Sequence, residues 1–199
     1  MTGTSLRLVA HGHTAALRRA RFGGADEGLD EGGLRAALAR AGSDRRGHSS
    51  ADDTCLSSPA AAATQTASAL GLRPTVETAL ANCDYGDWTG RAFEEIAHDH
   101  PQALHEWLST PDAAPHGGES VAALRDRIGR WLDGQRTGGG RIIAVTHPLV
   151  IRVAIVHALD LPLATYRQLD VEPLAIVRLT SQGARWQLRL GAARAHTPA

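Results

Sequence analysis

Two histidines each stand where an apolar run of the chain ends and a loop begins. His11 follows the run at residues 6–9, and His147 follows the run at residues 141–145. If both runs are parallel strands of one sheet, their carboxyl ends meet at one edge, where open α/β sheets bind ligands. The two imidazoles would then share one crevice. We therefore take His11 and His147 as the candidate catalytic pair.

Phosphoryl transfer is one reaction that such a pair could carry out. One imidazole can attack the phosphorus atom, while the other donates hydrogen bonds to the phosphoryl oxygens and stabilises their charge. This chemistry also needs arginine side chains or backbone amides around the phosphate, and an acid that protonates the leaving oxygen. The residues that surround the pair therefore decide whether the reaction is possible.

The hydrophobic pattern predicts the elements that position the pair. Apolar runs bounded by turn residues predict strands, and apolar residues at helical spacing predict helices. The predicted strands are residues 6–9, 54–57, 141–145, 175–180 and 185–190, and the predicted helices are residues 29–41, 60–70, 93–108 with a break at Pro101, 121–132 and 149–159. Thr146 and Pro148 are predicted to begin the last helix. This alternation indicates an α/β sandwich with a mostly parallel sheet.

Length and composition narrow the class of protein. The chain has 199 residues, which suits one domain over residues 1–199, with a possible small cap at residues 91–119. Basic and acidic residues balance at 21 each, so the net charge does not predict binding to nucleic acid or to an anionic membrane. All 21 basic residues are arginine, which excludes Schiff-base chemistry and phosphate binding by a Walker-type lysine.

The remaining patterns predict a soluble protein of the cytoplasm. There is no secretory leader pattern and no apolar run of about 18 residues, so we expect a cytoplasmic protein. We expect a monomer or homodimer that acts on a small molecule without a cofactor. Cys55 and Cys83 are too few for a disulfide framework. Histidines alternate at positions 11 and 13 and at positions 98 and 100, as in some metal sites, but we expect no metal.

Six ordered stretches of the chain resemble the histidine phosphatase superfamily, the phosphoglycerate-mutase-like proteins. They are LVAHGHT at residues 8–14, the loop at 21–33, SSPAAAATQTA at 57–67, the segment at 85–96, GGES at 117–120 and VTHPLVIR at 145–152. The resemblance implies a three-layer α/β/α sandwich. It also implies that His11 is the nucleophile that becomes phosphorylated and that His147 is its charge-stabilising partner.

The chain departs from the family pattern at the positions that hold phosphate. Ala10 and Ala62 stand where the family has arginines, and Asn82 stands where many members have an acidic glutamate. An amide cannot donate a catalytic proton at neutral pH. Pro148 replaces a usual glycine and removes a backbone N–H, and Leu17 replaces a common asparagine. The implied phosphate pocket is therefore degenerate.

Other polar residues could bind the substrate or compensate for these losses. The candidates are His13, Arg18, Arg21, Asn82, Asp84, His116 and Glu119. Arg18 or Arg21 could bind the phosphate, and Asp84 or Glu119 could serve as the acid. Without compensation, the loss of two donors and the acid would lower the rate by roughly 10⁶, since each donor contributes about 10²–10³ and an acid about 10²–10⁴.

Three functions remain open from the sequence. The first is an atypical or weakened phosphohydrolase that acts on a small phosphate ester through a phosphohistidine at His11. The second is an enzyme that uses His11 and His147 as acid and base on a substrate without a phosphoryl group, because two alanines leave a roomier and less cationic pocket. The third is a catalytically inactive protein that binds a partner through its surface. We favour the first.

Overall fold

The computed structural model describes residues 3–24, 26–43 and 53–190 of the chain. Within this part, one sheet contains the strands β1 (Ser5–Ala10), β2 (Thr54–Ser57), β3 (Thr75–Val76), β4 (Arg141–Thr146), β5 (Ile176–Gln182) and β6 (Arg185–Arg189). The helices are α1 (Ala15–Arg18), α2 (Glu31–Ser43), α3 (Ala61–Ala69), α4 (Phe93–Asp99), α5 (Pro101–Ser109), α6 (Val121–Gln135) and α7 (Pro148–Ala158), with 3₁₀ turns at Thr78–Leu80, Gly86–Trp88 and Leu163–Gln168. In these residues we find no helix with the length and apolar character needed to cross a bilayer.

The strand order brings the two histidines together. Across the sheet the order is β3-β2-β4-β1-β5-β6, with parallel pairing from β3 to β1 and antiparallel pairing of β5 with β1 and β6. Ala10 lies opposite Thr146 at the carboxyl ends of the neighbouring strands β1 and β4. His11 continues this pairing, since its N–H donates to the Thr146 carbonyl at 2.9 Å. The predicted α/β fold with a mostly parallel sheet is confirmed.

Helices cover both faces of the central strands and form three layers. Successive side chains of a strand point to opposite faces, so a strand that is buried on both faces is apolar throughout. Leu6 and Leu8 of β1 belong to the core beneath α6 and α7. Val9 and Val145 belong to a second core on the other face, together with Ala63 of α3. The carboxyl edge of β1 and β4 therefore has helices on either side.

The structure corrects the predicted beginning of α7. The N-cap residue is His147, not Thr146, and its side chain makes no capping hydrogen bond. Pro148 is the first helical residue, where its missing N–H has no intrahelical partner to lose. The Thr146 hydroxyl donates to the Leu80 carbonyl at 2.6 Å instead. The His147 side chain consequently lies at the positive end of an 11-residue helix.

The predicted cap region contains two short helices with an apolar cluster of their own. The expected break at Pro101 is confirmed, because α4 ends at Asp99 and α5 begins at Pro101. Side chains of both helices pack with Phe22 and Trp88. The short helix α1, which the sequence pattern did not predict, lies between His11 and Phe22 in the chain. The division into a domain and a cap stays a prediction.

Candidate active site at the sheet edge

His11 and His147 lie in contact at the carboxyl edge of the sheet. Their ring centroids are 5.0 Å apart and the ring planes meet at 73°. Both side chains are almost fully buried, with 7% and 5% exposure respectively. The arrangement leaves a small accessible area of each imidazole for a ligand.

Hydrogen bonds fix the orientation of His11. Its Nδ1 lies 2.7 Å from the Gly12 carbonyl oxygen, which can only accept, so Nδ1 carries the proton. The lone pair of the neutral ring is then on Nε2, as a nucleophilic imidazole requires. The N–H of Gly12 donates to Thr66 Oγ1 at 3.0 Å, and this hydroxyl donates to the Ala62 carbonyl at 2.7 Å. Helix α3 thus holds the loop that carries His11.

His147 is oriented by Ser58, the residue that follows β2. The His147 Nε2 and Ser58 Oγ atoms share a hydrogen bond of 2.9 Å, and Ser58 Oγ also accepts from the Ala60 N–H at 3.2 Å. Ser58 is fully buried, so its hydroxyl cannot reach a substrate as a nucleophile. We assign it the role of positioning His147.

Burial favours the neutral form of both imidazoles. Burial lowers the pKa of His11, although the Gly12 carbonyl and the negative charge of Glu27 oppose this shift. Burial, together with the nearby His11 and Arg127, lowers the pKa of His147 to about 3. A neutral His11 can act as a nucleophile or base at neutral pH. His147 offers a neutral N–H donor rather than a resident positive charge.

A cavity of about 320 Å³ opens onto the two histidines. Most of its wall is apolar, and these side chains are Ala16, Leu17, Ala20, Phe22, Ala60, Ala62, Phe93, Pro148 and Leu149. Ala62 therefore does lie beside the pair, where an arginine would reach the same space. Ala10 is also fully buried, but it belongs to the core beneath α6 and α7. The cavity is of the size that binds small organic ligands.

Two arginines line this cavity. Arg21 donates to the Gly90 carbonyl at 2.7 Å and lies 3.5 Å from Glu95. Arg152, five residues after His147, lies 3.4 Å from Asp170, and its buried Nε has no hydrogen-bond partner in the described part of the chain. Arg21 was among the sequence candidates. Arg152 was only part of a matched stretch, and its helical position after His147 was the signal that could have singled it out.

Asn82 and Glu27 supply the other polar groups of the cavity wall. Asn82 lines the cavity, and its buried Oδ1 has no hydrogen-bond partner among the described residues. Glu27 was not predicted from the sequence, because it lies in a glycine-rich loop with no pattern to orient it. Its Oε1 accepts from the Ala16 N–H at 2.5 Å, and its backbone carbonyl accepts from the Ala62 N–H at 3.1 Å.

Five of the sequence candidates do not line this cavity. Arg18 forms an ion pair with Asp30 on the exposed side of α1, and the carbonyl of His13 accepts from the Asp30 N–H at 3.0 Å. Asp84 and Glu119 border a separate surface depression. His116 is buried among aromatic rings, with its centroid 5.1 Å from that of Trp88. Their compensating roles stay predictions.

Glu119 is held by an arginine of α6. Arg127 donates to the two carboxylate oxygens of Glu119 at 2.9 and 2.6 Å. It also donates to the carbonyls of Ala79, Ala81 and Asn82 at 2.8, 3.0 and 3.1 Å. Arg127 thus secures the loop that carries Asn82. Cys83 in this loop is an unreactive thiol, because burial and the charge of Glu119 raise its pKa to about 12.

Comparison with known proteins decides the family. The model of the histidine phosphatase superfamily (branch 1) matches residues 6–193. The chain belongs to this superfamily. Within the described residues, no cluster of three or more His, Cys, Asp or Glu side chains is placed to hold a metal ion.

Relatives of this histidine phosphatase chain include several mycobacterial proteins. The bifunctional protein Rv2228c of Mycobacterium tuberculosis is 34% identical over 193 residues, covering 92% of this chain and 52% of that protein. The chain therefore spans about half the length of this relative. Glucosyl-3-phosphoglycerate phosphatase of the same organism is 30% identical over 106 residues, 48% of each chain.

Solved structures show the same fold. The native structure of mycobacterial glucosyl-3-phosphoglycerate phosphatase Rv2419c has a TM-score of 0.79 and 26% identity, covering 94% of this chain and 97% of that chain. A structure described as a putative alpha-ribazole-5'-P phosphatase from Escherichia coli K-12 has a TM-score of 0.85 and 21% identity, covering 100% of both chains. The three-layer architecture implied by the sequence resemblance is therefore confirmed.

Proposed function

We propose that this histidine phosphatase family member hydrolyses small phosphate monoesters through a phosphohistidine on His11 Nε2. The observation that carries the proposal is the hydrogen bond from His11 Nδ1 to the Gly12 carbonyl, which leaves the Nε2 lone pair free beside His147. The phosphatases among its relatives support the same reaction class.

The first chemical step transfers the phosphoryl group to His11. The Nε2 lone pair forms a bond to phosphorus as the bond from phosphorus to the ester oxygen breaks, and the ester oxygen leaves with the bonding electrons. In the second step water attacks the phosphohistidine, releases inorganic phosphate and restores the neutral imidazole. The His147 N–H and the first-turn amides of α7 after Pro148 can donate to the phosphoryl oxygens, and Arg21 and Arg152 line the same cavity.

The substrate must suit a cavity without a carboxylic acid at position 82. A leaving oxygen of low basicity needs little protonation in the transition state, whereas an alkoxide needs an acid. We therefore assign aryl phosphates, rather than alkyl phosphates, as the better substrates. Phe22, Tyr85 and Phe93 in the wall provide apolar contacts for an aryl group. Stabilisation of the phosphate is weaker than in a site with guanidinium groups at positions 10 and 62, where this chain has alanines.

The test is hydrolysis of phenyl phosphate by the wild type and by His11→Ala, together with trapping of labelled phosphohistidine under non-acidic quench. We expect turnover and label in the wild type and neither in the variant. His105→Ala is the matched control, because His105 is an exposed histidine on α5. Wild-type protein that is folded but gives no turnover and no label with any aryl phosphate would refute the proposal.

A second candidate function is acid–base catalysis on a substrate without a phosphoryl group. The observation that favours it is the apolar wall around two neutral imidazoles, with a methyl group at Ala62. Here His11 Nε2 would accept a proton and the His147 N–H would stabilise the developing charge. NMR signals of the two imidazoles that respond to uncharged ligands but not to aryl phosphates would favour this function. Signals that respond to neither class would favour a binding role for the protein surface.

A further inference from the structure

Glu27 places a carboxylate in the wall of an otherwise mostly apolar cavity. The loop between α1 and α2 carries this residue. Glu27 accepts hydrogen bonds from the backbone N–H groups of Ala16 and Ala62. The carboxylate accepts one of these bonds, from the Ala16 N–H at 2.5 Å. A carboxylate offers about four acceptor positions, so most of its hydrogen-bonding capacity is left for water or a ligand.

The charge of Glu27 has no cationic partner in the described part of the chain, whereas both arginines of the cavity have acidic partners. Arg21 lies beside Glu95, and Arg152 lies beside Asp170. The charge of Glu27 also acts on the cavity interior, because it opposes the lowering of the pKa of His11. The charge that remains uncompensated in this wall is therefore negative.

A ligand that fills the cavity must replace the water that hydrates the Glu27 carboxylate. Removing water from an ionised carboxylate is unfavourable unless a cation or several hydrogen-bond donors replace the water. Much of the remaining wall, including Leu17 and Phe22, provides apolar contacts. An aromatic or aliphatic body with a terminal ammonium group satisfies both parts of the site.

We propose that the cavity binds the ammonium group of an apolar amine at Glu27. One extension of this inference rests on the proposed function. If the protein is a phosphatase, its substrate is an aryl phosphate whose aryl group carries an ammonium side chain. In such a complex the phosphate faces His11 and the beginning of α7, while the ammonium faces the loop after α1. The amine site itself requires no hydrolysis.

The experiment compares tyramine with tyrosol, which differ by an ammonium group in place of a hydroxyl group. Binding to the intact chain is measured by titration calorimetry at pH 7, without any turnover. We expect the wild type to bind tyramine at least about 10-fold more tightly than tyrosol, as expected for one charge-assisted hydrogen bond. Equal affinities, or binding of neither compound, would overturn the proposal.

Glu27→Gln removes the charge but keeps an oxygen that can accept from the Ala16 N–H. We expect tyramine to bind this variant about 10-fold more weakly, with the affinity for tyrosol unchanged. Glu31→Gln is the matched control, because its side chain is 88% exposed on α2 and lies outside the cavity. A Glu27→Gln variant that keeps the preference for tyramine would assign the amine to another group and overturn the inference.

The two proposals fail separately. Selective tyramine binding by a protein that forms no phosphohistidine would leave the amine site standing and refute the phosphatase. Phosphohistidine formation by a protein that binds tyramine and tyrosol equally would refute only the amine site.

Discussion

The histidine pair and the cavity wall opposite it differ in how fully their polar groups are bonded. At the pair, Gly12 fixes His11, and Ser58 fixes His147. In the wall, Asn82 Oδ1 and Arg152 Nε are buried without partners among the described residues. A buried polar atom without a hydrogen-bond partner lowers the stability of the folded protein.

This difference suggests a division of roles, in which the histidine pair carries out the chemistry and the wall recognises the substrate. The loops after β1 and β4 position the reacting imidazoles, and they keep the family residues that do so. The wall is formed by α1, the loop after it, the start of α3, Asn82 and Arg152, and it carries an alanine at position 62 where the family has a guanidinium group. Substitutions on the two sides should therefore affect different kinetic constants. Changes at the pair should alter kcat, and changes in the wall should alter KM.

The largest expected effect comes from the pair itself. His147→Gln keeps a hydrogen-bonding group for Ser58 but removes the imidazole N–H, so kcat for phenyl phosphate should fall about 10²–10³-fold. Steady-state kinetics on the folded variant measure this loss. His105→Gln, at an exposed position, should behave as the wild type. A fall in kcat no greater than that of the control would show that His147 does not act in the reaction.

A guanidinium group restored to the wall should strengthen the binding of the phosphoryl group. Ala62→Arg adds a donor for phosphoryl oxygens in a cavity of about 320 Å³, and kcat/KM for phenyl phosphate should rise about 10²-fold. Tighter inhibition by orthovanadate should accompany the rise. Ser68→Arg adds the same charge at an exposed position of α3 and should change neither constant. An unchanged vanadate constant in Ala62→Arg would mean that the wall does not face the phosphoryl group.

The loop beneath Asn82 should be the most stability-sensitive part of the wall. Arg127→Met removes bonds to Glu119 and to three backbone carbonyls, so the free energy of unfolding should fall by about 2–4 kcal/mol. Arg18→Met breaks an exposed ion pair with Asp30 and should cost less than about 1 kcal/mol. Urea denaturation of the two variants tests the contrast. Equal losses of unfolding free energy in the two variants would contradict the stabilising role assigned to Arg127.

Acid should lower the stability of the folded protein through His147. Its pKa is about 3 in the folded protein and near 6.5 when unfolded, so the unfolded chain binds more protons between these values. Stability from this group is complete above pH 6.5 and falls with pH, by about 2 kcal/mol at pH 5. Urea denaturation at pH 7.5 and 5.0 should show a smaller pH effect in His147→Gln than in His105→Gln. Equal pH effects in the two variants would contradict the lowered pKa.

Much of the site's framework follows from local sequence. Residues 54–57 were predicted as a strand and form β2 with the same bounds. The two apolar runs that precede His11 and His147 form β1 and β4, and the parallel pairing of these strands makes the histidines meet. Parallel pairing brings the carboxyl ends of adjacent strands together regardless of the conformation of the loops that follow them. The meeting of the two histidines was therefore predictable from the sequence, whereas their catalytic role stays a prediction.

Side chains in the loops were not predictable in the same way. Arg18 and Arg21 are three residues apart, yet Arg18 faces Asp30 outside the cavity and Arg21 lines it. The unpredicted helix α1 accounts for this difference, because Arg18 lies in its last turn and Arg21 follows its end. No hydrophobic period in this segment indicates the direction of either side chain.

Apart from α1 and β3, the strands and helices around the site follow from the hydrophobic pattern of the sequence, because burial on both faces of a sheet constrains residue types along a strand. The family and the two histidines that lie in contact could also be read from the sequence. Which charged groups share the cavity with that pair depends on how distant segments of the chain pack together. Glu27 and Arg152 both line this cavity because a loop after α1 and the first turns of α7 pack around the same sheet edge. Such long-range packing leaves no periodic signal in the chain.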